Sequence, residues 1–231
     1  MQQVLNQKYN NVILPVISEK ILEMNVDDEK DILELIDLLR YNEVINCNDY
    51  GDCPVNNIAH KVVGIVPYIS DKIDEDGYLY VDGTTSQLYG SNQVIVVNSK
   101  LGNTKRREVV AHLLAVYLLD YLKNFNGDHS QVYIATYNKN NMNNKAQFFS
   151  EELLTPTAAF KTQYDVAQNK YDNDLYTKFY LSIYFGVGLN FVDNRVDETI
   201  FGLSLPLEKT NPEHTNTGKI IILSDYKKSK R

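Results

Sequence analysis

The chain has 231 residues, 43% of them hydrophobic and 23% charged, which is enough to bury a sizeable core in one or two domains. Its formal net charge of −7 argues against nonspecific binding to nucleic acid or to anionic membranes. It contains no apolar run of about 18 residues, and its amino-terminal stretch lacks the pattern of a signal peptide. We therefore expect a cytoplasmic protein without a transmembrane helix.

The amino-terminal quarter is predicted to be helical and to end in a loop. Residues 18–40 carry two helical patterns, and the turn-rich residues 46–57 follow them. Cys47 and Cys53 lie in this loop, and two free thiols are favoured over a disulfide because no export signal is visible. With His60 they form a Cys-x5-Cys-x6-His pattern, but zinc knuckles use closer cysteine pairs and a fourth ligand.

Strands and one strongly apolar helix are predicted for the middle of the chain. The β-branched or alternating segments 61–68, 77–82 and 93–98 indicate strands. Residues 109–122 are almost all apolar, without glycine or proline, which is typical of a helix buried on every side. Strands followed by a buried helix indicate a compact α+β unit.

Helices dominate the predictions for the rest of the chain. Residues 146–160 have helical spacing, and Pro156 either ends that helix or opens the next one. Residues 175–196 indicate two short helices with a break at 186–188. The aromatic residues in this region are expected to belong mainly to the core. Strands are expected at 132–136, 200–207 and 219–223.

His112 is the single ionisable residue in the middle of the apolar helix. Zinc peptidases place His-Glu-x-x-His on such a helix, so that two imidazoles hold the metal and the glutamate activates water. Here the five residues from 112 onwards are His-Leu-Leu-Ala-Val, with Leu113 and Val116 in place of the glutamate and the second histidine. We expect a neutral His112 that is hydrogen-bonded to a backbone carbonyl rather than a metal ligand.

Charged residues precede His112 on the same helix. Glu108 lies four residues before it and could share a metal, whereas Asp120 lies about 12 Å along the axis and is too distant. The basic residues 105–107 are expected to be surface charges paired with Glu108. The alternative is that they bind an acidic partner segment.

The order of these motifs resembles the ImmA/IrrE family of metallopeptidases over roughly residues 60 to 200. The most specific combination is a Leu-Leu-Thr-Pro element ending at Pro156, placed after a helix that contains Ala-His. The resemblance is carried by the segments 94–98, 107–112, 146–156, 179–182 and 192–195.

The resemblance implies an α+β fold with a zincin-like core, meaning a small sheet plus a buried active-site helix, followed by a helix-turn-helix-like region. It divides the chain into an amino-terminal helical segment and loop (1–58), a metallopeptidase-like core (59–165) and a carboxy-terminal helical region with terminal strands and a basic tail (166–231). It also implies a metal site made of two histidines and an acidic residue of the second helix, which falls near Asn143.

Only His112 matches that site, as a vestigial metal ligand, because Leu113, Val116 and Asn143 replace the other functional groups. The resemblance thus implies a peptidase fold without catalytic residues and without zinc. It implies a regulatory module of a bacterial phage or mobile element whose partner is a protein, with a DNA-binding repressor as the candidate. Asn98, Arg107 and Glu108 are the residues expected to line the partner groove.

Two alternatives stay open. The first is an active zinc peptidase with unusual ligands, such as His112 together with His129 or His60. The second is an accessory or structural protein of a phage or mobile element that shares only the fold. Direct binding of nucleic acid is not expected, because the helix-turn-helix-like region has few basic residues, Lys178 and Arg195.

Overall fold

A computed structural model describes residues 13–43, 53–82, 93–125, 132–137, 144–202 and 218–221. Within these ranges no helix combines the length and the apolar character needed to cross a membrane. The predicted strand residues 203–207 and 222–223 and the residues Cys47, His129 and Asn143 lie outside the described part of the chain.

In the described part of the chain, five strands form one mixed sheet in the order β1-β3-β2-β4-β5. β1 runs parallel to β3, and the other neighbours are antiparallel. The bounds of β2, β3 and β4 are the predicted ones, and β5 begins one residue before its prediction. The strands are β1 (Val66–Ser70), β2 (Gly77–Asp82), β3 (Gln93–Asn98), β4 (Val132–Thr136) and β5 (Gly218–Ile221).

The prediction of a strand over residues 61–68 is wrong in its first half. A short helix, α3, begins at Val55–Asn57 and continues as a π-helical stretch over Ile58–Val63. It ends at Gly64, whose φ of 82° terminates helices readily. Its β-branched residues Val62 and Val63 are buried in the core, so packing overrides their preference for strands. Residues 200–202, predicted as the start of a strand, have no strand structure.

The described residues contain seven further helices. The two helical patterns at 18–40, the break at 186–188 and the role of Pro156 as an opening residue are confirmed. The long helix α4 starts at Asn103–Val116 and continues through a π-helical stretch, Tyr117–Tyr121, to Phe125. The others are α1 (Ile13–Glu23), α2 (Glu29–Glu43), α5 (Asn144–Leu154), α6 (Thr157–Lys170), α7 (Asp174–Phe185) and α8 (Leu189–Thr199).

α4 is the central element, as its apolar sequence predicts. Every residue from Val109 to Leu119 is buried. The helix lies directly on the sheet at Gly77, where a Cβ atom would come within 2.6 Å of Cγ1 of Val109. A glycine is therefore required for the close approach of helix and strand.

One cluster of buried apolar residues runs from Ile17 to Val196. The amino-terminal helices and the carboxy-terminal pair α7–α8 pack on the same core as α4. The predicted fold class is confirmed: an α+β fold with a small sheet and a buried helix, followed by a helical region.

Candidate functional site

A cavity of about 550 Å³ lies where α4, α5 and the start of α8 meet. Successive turns of α4 place Lys105, Glu108 and His112 on its wall, because residues three or four apart share one face of a helix. The other lining residues are Thr104, Tyr137, Gln147, Ser150, Gly188, Leu189, Asn190, Phe191 and Asn194.

His112 is only 4% exposed, and its Nδ1 atom has no hydrogen-bond partner in the described part of the chain. Its ring meets the ring of Tyr137 edge-on, with 5.1 Å between the centroids. The expected hydrogen bond of His112 to a backbone carbonyl is not found among the described residues. Burial, with a smaller contribution from the charge of Lys105, lowers the pKa of His112 to about 4. The imidazole is uncharged at neutral pH.

Glu108 connects two sides of the cavity through hydrogen bonds. Its Oε2 accepts a hydrogen bond from the ammonium of Lys105 at 2.9 Å, and its Oε1 accepts one from the backbone N–H of Gly188 at 3.0 Å. A carboxylate is favourable at this helix start, because the amino-terminal end of α8 carries partial positive charge. The expected pairing of a basic residue with Glu108 is confirmed for Lys105.

Lys105 also donates a hydrogen bond of 2.9 Å to the hydroxyl of Tyr137. Burial lowers the pKa of Lys105, but the hydrogen bond to Tyr137 and the charge of Glu108 outweigh it, so the pKa is raised overall. The ammonium and the Glu108 carboxylate are thus a neutralised ion pair in the cavity wall.

Leu113 and Val116 do not reach the cavity. Both are buried in the core. Leu113 packs toward the sheet, because its Cδ1 atom lies 3.4 Å from the position that a Cβ atom on Gly77 would occupy. One residue along a helix is a rotation of about 100°, which moves the Leu113 side chain from the cavity to the sheet. From the second helix, α5, the residues at the cavity are Gln147 and Ser150.

Asn98 has a structural role in the loop between β1 and β2. Its side chain, 5% exposed, donates to the carbonyls of Ile73 and Glu75 at 2.9 and 3.1 Å. It also accepts from the N–H of Lys100 at 2.9 Å. Its position is therefore separate from the cavity that contains His112.

Arg107 joins α4 to distant parts of the chain. Its guanidinium donates to the carbonyls of Cys53 at 2.7 Å and of Phe185 at 3.4 Å, and to that of Gly186. Of the three residues expected in the partner groove, Glu108 alone lines the first cavity. Arg107 faces a second cavity of about 460 Å³, beside β1.

His60 also lines this second cavity and not the first. The structure therefore does not bring His60 and His112 together as ligands of one metal. Cys53 is a buried thiol. Asp120 accepts a hydrogen bond from the hydroxyl of Tyr133 at 2.7 Å and is likewise outside the first cavity.

A buried ionic network ties α5 to α8. Arg195, 3% exposed, donates to Oε1 of Glu152 at 2.6 Å and to the carbonyl of Thr155 at 2.8 Å. Nearby, burial and then the charge of Glu198 raise the pKa of Glu151 to about 8. The sequence indicated Arg195 only as part of a motif. Its partners on another helix carry no signal in the sequence.

The helix α7 presents some aromatic side chains to solvent. Tyr176 is 60% and Phe179 43% exposed, whereas Phe185 is fully buried. The expectation that this cluster belongs to the core is therefore wrong for the first two. Lys178 is paired with Asp174 and Asp193, each at 2.9 Å.

A protein-family model described as an IrrE N-terminal-like domain, of peptidase family M78, matches residues 70–197. The match runs from the end of β1 to the last turns of α8 and covers more than half of the chain. No curated protein and no solved structure matches the chain significantly.

Proposed function

Since the chain belongs to the peptidase M78 family through its IrrE N-terminal-like domain, we propose that it is a catalytically inactive member that binds a protein partner. The observation that carries the proposal is the composition of the cavity wall on α4. It holds one imidazole and one ion-paired carboxylate, while the two positions of the zinc motif after His112 are leucine and valine in the core.

The residues present do not fit a catalytic zinc ion. Such a site takes three protein ligands, usually from histidine and carboxylate side chains. His112 supplies one nitrogen, and Glu108 has both carboxylate oxygens engaged, by Lys105 and by Gly188. The described residues contain no group of three or more His, Cys, Asp or Glu side chains placed to hold a metal.

The same wall lacks a general base. A base must accept a proton from water, but the Glu108 carboxylate is already neutralised by the Lys105 ammonium at 2.9 Å. His112 is uncharged, and burial lowers its pKa to about 4, so its imidazole is a weak base at neutral pH.

We propose a binding role because the fold has a cavity at His112 although the catalytic groups of the zinc motif are absent. About 550 Å³ is within the usual range for ligand sites, and the lining combines many polar side chains with the apolar Leu189 and Phe191. We propose a protein segment as the ligand and a DNA-binding repressor as the candidate partner. The repressor is proposed by analogy with the family.

Site-specific photo-crosslinking tests this proposal. A benzophenone amino acid at Asn190, exposed at the cavity rim, should crosslink a DNA-binding protein in cells of the source organism. The matched control is the same amino acid at Asp197, which is exposed on the same helix but does not line the cavity. Equal crosslinking at both sites, or crosslinks only between copies of this chain, would contradict the proposed role. The second result would favour a structural protein that shares only the fold.

A further inference from the structure

β1 is an edge strand of the sheet in the described part of the chain, so one side of its backbone has no neighbouring strand there. At its end, the N–H of Ser99 donates a hydrogen bond of 2.8 Å to the carbonyl of Ser70, which therefore faces β3. Successive strand residues direct these groups to opposite sides, so those of Pro67 and Ile69 face outward. Within the described residues, no hydrogen bond engages the N–H of Ile69 or the two outward carbonyls.

A groove runs between this edge and two helices. The cavity of about 460 Å³ beside β1 is also lined by α3 and by the first turns of α4. Ile69 pairs with Val97, and Val97 pairs with Gly77, the residue on which α4 lies. Because paired residues of neighbouring strands direct their side chains to the same face of a sheet, Ile69 faces the groove. Its side chain is nevertheless 55% exposed, so an apolar group lies uncovered beside the unpaired edge.

The groove is positively charged, although the whole chain has a net charge of −7. It is lined by the guanidinium groups of Arg106 and Arg107 and, among the described residues, by no aspartate or glutamate. Arg106 donates to the carbonyls of Leu101 at 2.7 Å and of Ser99 at 3.0 Å, and no described carboxylate pairs with it. A guanidinium is always charged, and a carbonyl bonds to it without neutralising it. The bond to Ser99 places this charge at the end of β1, where Ser99 also contacts Ser70.

These features favour an extended peptide with one acidic side chain over other anions. An inorganic anion would meet the positive charge but would leave the unpaired edge and the side chain of Ile69 unused. A nucleic acid carries a charge on every nucleotide, which the net charge of the chain and the exposed Asp71 and Asp74 in the loop after β1 oppose. An extended peptide adds hydrogen bonds along the edge, apolar contacts in the groove and a single carboxylate at Arg106.

We propose that the edge of β1 binds an extended segment of a partner protein as an additional strand, with an aspartate or glutamate side chain of that segment at Arg106. Main-chain hydrogen bonds to Pro67 and Ile69 hold the segment, and the ion pair selects it. This groove is separate from the cavity at His112. The inference therefore goes beyond the function proposed for that cavity and does not depend on it.

Fluorescence anisotropy with short synthetic peptides tests the inference on the full chain. The probe is the peptide Ser-Thr-Val-Glu-Val-Thr-Ser, amidated at its carboxyl end and labelled with an uncharged dye, so that glutamate is its one carboxylate. We expect a Kd on the order of 100 μM. The same peptide with glutamine or lysine in place of glutamate should bind at least about fivefold more weakly. The glutamine peptide with a free carboxyl end should also bind more weakly, because the proposed contact is with a side chain and not with a chain terminus.

Variants of the edge strand separate the hydrogen bonds from the apolar contact. Ile69→Pro removes the outward N–H and leaves the groups that pair with β3 in place, since edge strands tolerate proline at such positions. Ile69→Ala loses the side chain but keeps the N–H. We expect Ile69→Pro to bind the glutamate peptide at least about fivefold more weakly than Ile69→Ala. Equal affinities of the two variants overturn the addition of a strand.

Variants of the basic residues test the ion pair. Arg106→Gln should weaken binding of the glutamate peptide at least about fivefold. The matched control is Lys61→Gln, at an exposed position of α3 that does not line the groove, which should leave the Kd unchanged. If Arg106→Gln does not fold, the peptide series decides the question, because equal binding of the glutamine or lysine peptide overturns the acidic selection. No binding of the glutamate peptide up to about 1 mM, or tighter binding of a labelled single-stranded DNA of about ten nucleotides, overturns the inference as a whole.

Discussion

At the scale of single residues, His112 is where sequence and structure differ most instructively. The sequence indicates a buried, neutral histidine, and the structure agrees in burial and in the lowered pKa. The missing partner of Nδ1 could not be read from the sequence. Whether this nitrogen finds a partner depends on which side chains of α5 and α8 face α4. The residues of α5 at the cavity, Gln147 and Ser150, belong to no recognisable sequence motif.

The depressed pKa of His112 has a consequence for stability at acidic pH. Because the folded state binds this proton less readily than the unfolded chain, the contribution to stability is complete above pH 6.5 and is lost as pH falls toward about 4. One such group changes the free energy of unfolding by at most about 1.4 kcal/mol per pH unit.

We expect His112→Phe to remove this contribution, since phenylalanine keeps a ring against Tyr137 and has no proton to bind. Urea unfolding at pH 7 and pH 4.5 measures it, with His60→Phe at an exposed position as the control. A difference between the two pH values that is as large in His112→Phe as in the wild type would show that His112 is not the source.

At the scale of elements, strongly periodic or strongly apolar segments were predictable and short ambiguous ones were not. α4 was evident because an uninterrupted apolar run of its length fits only a buried helix. The strand prediction fails at residues 61–63 because β-branched residues such as Val62 and Val63 suit a strand as well as a buried helical turn, and tertiary packing decides between them.

The contact of α4 with β2 yields a prediction at this scale. In Gly77→Ala the new Cβ would lie 2.6 Å from Cγ1 of Val109 and 2.9 Å from the carbonyl oxygen of Val96. We expect a loss of about 1–3 kcal/mol in the free energy of unfolding, as is typical of overpacked cores. Chemical denaturation measures it.

The double variant Gly77→Ala/Val109→Ala provides the control, since it removes the closer of the two atoms. We expect it to be less destabilised than the sum of the two single variants, because the contact between the positions is what couples them. Strict additivity would mean that the helix does not press on the strand at Gly77.

At the scale of the whole molecule, the order of motifs sufficed to indicate the family, and the match over residues 70–197 agrees with it. The position of the cavity along α4 could not be predicted from the order of the motifs. The zinc motif would place function at His112 and the residues after it, whereas the wall is formed by His112 and the residues before it, Lys105 and Glu108. The cavity lies on this side of His112 because α8 packs on α4 there, where the backbone N–H of Gly188 donates a hydrogen bond to Glu108.

The central claim, a peptidase fold whose cavity no longer holds a catalytic metal, is tested most directly by the zinc content of the purified protein. The protein is prepared without chelator, and zinc is measured by mass spectrometry in the wild type, in His112→Phe and in a Cys47→Ser/Cys53→Ser variant. The cysteine variant accounts for metal bound by thiolates elsewhere in the chain. We expect less than about 0.1 zinc per chain in all three, because one imidazole and one ion-paired carboxylate do not make a tight zinc site. About one zinc per chain in the wild type and in the cysteine variant, lost in His112→Phe, would contradict the claim.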